Sequence, residues 1–340
     1  MSVVDTCDGN PRPATAKRAT PAVSVVMPVY NQEGLVGDAV RSILSQTFHD
    51  FEFVIVDDGS TDRTREVLAT FSDPRLRVIE SDHAGFIHTL QKGVELARAP
   101  LVARMDSDDL SHRERLAKQV RFLDEHPEFG FVGSLSGLVT LGGKALLPLR
   151  KFGWEPLKPA GITLRPRLFP DATGVFRRAL AERVGFYDLE FDNENPLWYR
   201  LMREAPAALL GDCLYFVRVL VDGHSRSVES LMRRRRVFAE IRQKYDPDYS
   251  ASTTPMAIHA ADPELHAFNM QTRAIGLCVE AGDLSIARRL AWRCLLQQPL
   301  RRRSWRRIAE AITGKRSLPP LWKANQRTYC RARLADHVDC

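Results

Sequence analysis

From Val23 to Ser134 the chain alternates between short apolar runs and longer amphipathic stretches. The runs "VSVVMPV" (23–29), "FEFVIVD" (51–57), "LRVIES" (76–81), "LVARM" (101–105) and "FGFVGS" (129–134) are rich in β-branched and aromatic residues. They show little polar alternation, as strands covered on both faces do. Between them lie "EGLVGDAVRSILSQ" (33–46), "DRTREVLATF" (62–71), "GFIHTLQKGVELA" (85–97) and "RERLAKQVRFLDEH" (113–126), with apolar residues at helical spacing. In the first of these, Leu35, Ala39, Val40, Ile43 and Leu44 share one face. Strands separated by helices of this length predict right-handed βαβ units, an α/β class and a mostly parallel, Rossmann-like sheet flanked by helices.

Beyond that unit the pattern turns helical. "SLMRRRRVFAEIRQKY" (230–245) is followed by the breaker-rich "DPDYSASTTP" (246–255), and helical patterns return at 262–281, 284–297 and 301–313. In the last, Trp305, Ile308, Ala309 and Ile312 share a face ringed by arginines. The predicted organisation is a polar, Pro-containing disordered tail over 1–21, an α/β domain over 22–230 and a basic helical region over 231–340. The tail has no apolar core, so it does not read as a signal peptide. No apolar stretch reaches the ~20 residues that span a bilayer.

Charge sharpens this division. The whole chain is +7, but residues 231–340 hold 21 Lys+Arg against 10 Asp+Glu, which leaves residues 1–230 net acidic. A basic amphipathic helix suits the surface of an anionic membrane, and equally a solvated helix packed on its own domain. Nucleic acid is a poor fit, because no recognition motif accompanies the charge. The six cysteines are scattered without a CxxC pair, as in a reducing cytoplasm.

The acidic residues concentrate where the predicted strands end. "DDGSTD" (57–62) follows the second strand and "DSDDLS" (106–111) the fourth, so Asp57, Asp58, Asp106, Asp108 and Asp109 gather at one sheet edge. Ligands bind at the carboxyl ends of strands in such sheets. Single residues here have a simpler use as helix caps: Ser111 for the helix near Arg113, Thr61 or Asp62 for the preceding one. Caps account for one residue per loop and leave the set unexplained. A hard divalent cation, Mg²⁺ or Mn²⁺, resolves the repulsion, since it takes oxygen ligands and substrate phosphates. A dinucleotide oxidoreductase would need G-x-G-x-x-G after the first strand, where this chain has "PVYNQEG". A sugar nucleotidyltransferase would want a basic, Gly-rich loop in that place.

"VSVVMPVYNQEGLVGDAVRSILSQTFHDFEFVIVDDGSTD", "ARMDSDDLSHRERLAKQV" and "EHPEFGFVGS" together closely resemble the family 2 glycosyltransferases, which have the GT-A fold. The resemblance is continuous from about 23 to 134 and traceable to about 227. It implies that Asp106 and Asp108, as a D-x-D motif, hold a metal on the diphosphate of a sugar nucleotide, with Asp109 as a further ligand. It implies that the Asp57–Asp58 pair meets the nucleobase and ribose, with the base contact on Asp58, and that Pro28, Tyr30 and Glu33 lie along the nucleotide. His83 and Gln91 stand where the family usually has asparagine.

The family's E-D-x-x-L-W element aligns with "FDNENPLWYRL" (191–201). Leu197-Trp198 then place Glu194 on the general base and Asn193 on the preceding glutamate, with Asp192 as the second candidate. An acidic stretch that merely opens a helix at Pro196 is the plainer reading. "DGHSRS" (222–227) resembles the H-x-x-S element, making His224 a candidate contact to metal or diphosphate. Trp154, in the segment where acceptor loops sit, reads either as a sugar-stacking or as a packed residue. The resemblance implies an inverting transferase that takes a sugar from a nucleoside-diphosphate sugar, with UDP-sugar foremost. The acceptor would be a saccharide or lipid-linked molecule of bacterial surface polysaccharide or envelope glycan synthesis. The expected place is the cytoplasm, with peripheral contact at the inner face of the membrane. A non-catalytic sugar-nucleotide binder or scaffold is the alternative left by the altered base motif.

Overall fold

The runs Val23–Val29 and Phe51–Asp57 form strands β1 and β2, buried along their whole length. Alternate residues of β1 face opposite ways. Val23, Val25, Met27 and Val29 join one apolar cluster, and Val26 joins another. The first cluster takes Val36, Ala39, Val40 and Ile43 from α1 (Val36–Leu44) and Leu116, Val120 and Leu123 from α4 (Arg115–Glu125). The second takes Ile87, Leu90 and Val94 from α3 (Phe86–Leu96). Each such side chain, fully buried, contributes about 1.5–3 kcal/mol against conformational entropy.

The computed structural model describes residues 20–141, 144–148, 153–157, 171–191 and 194–219, then 240, 243–245, 275–276, 278–279, 282–297, 302–314 and 329–333. Asp192, His224, residues 1–19 of the tail and much of the basic region lie outside these described residues. The remaining elements of the first half are α2 (Thr64–Ala69), β3 (Leu76–Glu80), β4 (Leu101–Arg104) and β5 (Leu110–Ser111). They are followed by β6 (Phe131–Thr140), β7 (Lys144–Pro148), β8 (Trp154–Leu157), a 3-10 turn at Asp171–Thr173, β9 (Val175–Arg177), α5 (Arg178–Val184), α6 (Asn195–Glu204) and β10 (Ala207–Val219). Then come α7 (Leu284–Gln297), α8 (Arg302–Thr313) and β11 (Tyr329–Arg333).

The α/β class and the helix-covered sheet are as expected, and β3-β2-β1-β4 form its parallel core. Beyond β4 the sheet is mixed. β9 inserts antiparallel between β4 and β6, and β10 runs parallel to β6 but antiparallel to β5 and β8. The three-residue β9 has no βαβ crossover and too short an apolar run to be read from pattern alone.

Parallel register fixes the site edge. Val29 aligns with Asp57, and Val26 with Arg104, so the loops after β1, β2 and β4 emerge together. β5 then pairs Ser111 with Tyr215 of β10. That pairing places Ser111 in a strand, where its hydroxyl lies 3.2 Å from Gln46 Nε2, rather than at a helix cap. Asp62 does serve the start of α2, accepting the Thr64 amide at 2.9 Å.

Candidate active site

The loops after β1 and β2 are knitted together by their own polar groups. Asn31, at φ +50, accepts the Thr61 amide at 2.8 Å. The Gln32 amide donates to Thr64 Oγ1 at 2.7 Å, and the Glu33 amide to Asp62 Oδ2 at 3.0 Å. Glu33 in turn accepts the Arg63 amide at 3.0 Å, so its carboxylate is a clasp between the two loops. Pro28 is buried within β1, and Tyr30 stands 40% exposed just beyond it.

Asp57 and Asp58 differ in surroundings. Asp57 is fully buried, accepts the Ser60 amide at 3.2 Å and takes Arg65 Nε at 2.6 Å. It shapes its own turn. Asp58 Oδ1 accepts the Ala84 amide at 2.8 Å and its Oδ2 the Gly85 amide at 3.0 Å. This fastens the 83–85 segment, whose His83 ring stacks on Tyr30 at 4.3 Å. Gly59, at φ +72, permits the approach, since a Cβ there would lie 3.0 Å from the His83 amide.

Asp106, Asp108 and Asp109 offer ligand oxygens that all lie within 4.8 Å of one another. Burial and the neighbouring Asp106 charge push Asp108 up to about 6. Burial, then Asp108 and Asp106, hold Asp109 well above the ordinary carboxylate range. Carboxyls this close and this buried resist ionising together, so Asp108 and Asp109 favour their protonated forms until a cation offsets the charge. The trio's direct ion-pair partner among the described residues is Arg104, whose Nη1 donates to Asp106 Oδ1 at 2.7 Å. Arg218 donates its backbone amide to Asp109 at 2.8 Å but spends its guanidinium on Asp38. The Tyr215 hydroxyl accepts the Asp106 amide at 3.1 Å and also bonds the Asp109 side chain.

Glu194, 90 residues further along the chain than Arg104, comes to the same place. It stands at the N-cap position of α6, is 8% exposed, and its carboxylate takes Arg104 Nη2 at 3.2 Å. Burial raises its pKa although Arg104 pulls the other way. Arg115 supports the rear of the cluster. Fully buried and brought down to about 10 by that burial, it donates to the carbonyls of Arg104 at 2.7 Å and Ala172 at 3.0 Å.

The structure thus brings Asp106, Asp108, Asp109 and Glu194 together, and holds Tyr30, Glu33, Asp57 and Asp58 in the adjoining loops. Trp154 lies apart in an aromatic cluster with Phe122, His126 and Phe129, 43% exposed. Sequence reading missed Arg104, Arg115, Tyr215 and Arg218. The first two had a signal, a lone cation inside the apolar run "LVARM" and another on the apolar face of α4. Tyr215 and Arg218 had none, since they meet the trio only through β5–β10 pairing.

Residues 24–178 match the family model described as Glycosyl transferase family 2. The chain is 38% identical over 117 residues to the Bacillus subtilis protein named putative teichuronic acid biosynthesis glycosyltransferase TuaG. That match covers 33% of this chain and 46% of the relative, less than half its length. Among solved structures, the fold is similar to S. aureus TarS 1-349 in complex with UDP-GlcNAc, at TM-score 0.54 and 18% identity, covering 86% of this chain and 92% of that one. It is also similar to a mannosyltransferase from Pyrobaculum calidifontis in complex with GDP-Man and Mn²⁺, at TM-score 0.53 and 19% identity, covering 92% and 90%.

Proposed function

We propose that this chain, whose residues 24–178 match the family model described as Glycosyl transferase family 2, is a metal-dependent, inverting transferase that moves a sugar from a nucleoside-diphosphate sugar to a hydroxyl acceptor. The observation that carries this reading is the cluster itself. Three carboxylates lie within 4.8 Å at a strand end, and a buried Glu194 shares a guanidinium with one of them.

The donor set is all oxygen, which fits Mn²⁺ or Mg²⁺. Asp106, Asp108 and Asp109 would hold the cation, with His224 as a further contact, and the cation supplies charge neutralisation for the departing diphosphate. Glu194 takes the proton of the acceptor hydroxyl as that oxygen attacks the anomeric carbon. The carbon–oxygen bond to the diphosphate breaks on the opposite side, and its electron pair leaves with the nucleotide. Asp192 is the second candidate for the base. Tyr30 and the segment fastened by Asp58 flank the nucleotide.

The donor is a UDP-sugar in this reading, and the sugar-nucleotide complexes of the two fold relatives support the donor class. The acceptor is a saccharide or lipid-linked molecule of an envelope polysaccharide, in keeping with the teichuronic acid relative. Residues 22–230 form the transferase domain, and 231–340 an appendage that approaches an anionic membrane from the cytoplasmic side. In support of that contact, Trp292, Leu296, Trp305 and Ile312 on α7 and α8 are each about 60% exposed or more.

Thermal stabilisation by a panel of sugar nucleotides with Mn²⁺ tests the reading, because a ligand bound only by the folded state raises its melting temperature. One donor should stand out. Glu194→Gln should keep that stabilisation while transfer drops by roughly 10²–10⁴. Stabilisation without turnover in the parent, with every acceptor class, would favour a non-catalytic binder.

A further inference from the structure

The link between the acidic trio and Glu194 is one side chain, and it is held unusually firmly. Arg104 is the last residue of β4, and its side chain is 3% exposed. Its amide donates to the Gly174 carbonyl at 3.0 Å, and its carbonyl accepts Arg115 Nη2 at 2.7 Å. The Phe86 ring lies 5.1 Å from its guanidinium carbon. One nitrogen, Nη1, reaches Asp106, and the other, Nη2, lies 3.1 and 3.2 Å from the two oxygens of Glu194. Nε is buried without a partner among the described residues. A planar guanidinium fixes the separation and orientation of two carboxylates it bridges, which a flexible ammonium does not.

We propose that Arg104 is a positioning residue that couples donor-metal binding to the general base, fixing Glu194 while competing with the divalent cation for Asp106. This inference rests on the transferase reading above. The two halves of the role carry opposite signs. A fixed positive charge against Asp106 repels an incoming cation, so Arg104 weakens metal binding. The same charge and fork hold Glu194 in one orientation beside the trio, so Arg104 favours transfer, for which about an ångström of misplacement is costly. A side chain that merely keeps the fold would move both quantities in the same direction.

The test is Mn²⁺ titration of the nucleotide-free protein, followed by electron paramagnetic resonance of the unbound ion, beside transfer kinetics. Arg104→Gln removes the charge and keeps some of the bulk. It should tighten Mn²⁺ by about tenfold, the size of shift one nearby charge commonly causes, while kcat falls by at least about tenfold and the donor KM rises little. Arg104→Lys keeps the buried carboxylates countered and should fold even where the glutamine variant does not. It should hold Mn²⁺ affinity within about threefold of the parent while kcat still falls, because a point charge cannot span both carboxylates. Parallel loss of Mn²⁺ affinity and kcat in both variants would overturn the inference and leave Arg104 a structural residue. Unchanged kcat in the lysine variant would overturn it too. A parent that binds no Mn²⁺ would instead overturn the metal-dependent reading beneath it.

Discussion

At the scale of single residues, the site separates groups that shape loops from groups proposed to meet the substrate. Asp58 does the first kind of work visibly, since each carboxylate oxygen already accepts a backbone amide from the 84–85 segment. Asp58→Asn replaces one acceptor with an NH₂ group, which cannot take an amide hydrogen. It should cost about 1–3 kcal/mol of stability, as an unmet buried donor does, and should weaken UDP more than CDP, whose base lacks the imide N–H. Thermal melts beside calorimetric titration of the two nucleotides check this. UDP affinity unchanged in the folded variant would leave Asp58 as a loop brace alone. The strand-end aspartates were legible as candidates from residue type and position, and Glu194 through the resemblance of "FDNENPLWYRL" to the family's E-D-x-x-L-W element. The partners that tune them were not. A cation in an apolar run signals burial without naming its partners, and Tyr215 reaches Asp106 across 109 positions.

At the scale of elements, α6 carries the candidate base, and a close approach sets where α6 lies. A Cβ at Gly174 would lie 2.3 Å from Trp198 Cη2, and the Gly174 carbonyl accepts the Arg104 amide. Gly174 therefore touches both the strand that offers Arg104 and the helix that Glu194 begins. Gly174→Ala should push Trp198 outward, destabilise by about 1–3 kcal/mol through overpacking, and lower kcat more than it raises the donor KM. Chemical denaturation and steady-state kinetics together check it. Equal kcat in a destabilised variant would mean that α6 and the base do not move as one. The alternation of the first four strands and four helices was legible because β1, β2 and β4 are buried along their whole length and the helices between them carry apolar faces, while the part-exposed β3 still forms a short apolar run. β5, β9 and the thirteen-residue β10 were not. Two are too short for a periodic signal, and β10 bends through register shifts around Cys213.

At the scale of the molecule, charge and exposed apolar surface divide along the chain. The acidic cluster belongs to the parallel core, whereas the helix pair α7–α8 is arginine-rich and exposes Trp292 and Trp305. No helix among the described residues is long and apolar enough to cross a membrane. Flotation with liposomes should therefore show binding to vesicles with acidic lipid and little to neutral ones, reduced by salt as screened charges require. Binding indifferent to lipid charge and salt would exclude the electrostatic contact. The central claim, that the strand-end aspartates bind a nucleotide donor through a divalent cation, is tested most directly by calorimetric titration of UDP into the protein with and without Mn²⁺, in the parent and in Asp108→Asn. The parent should bind UDP tightly only with Mn²⁺, and Asp108→Asn should lose that dependence together with most of the affinity. Equal, metal-dependent affinity in the two proteins would contradict it.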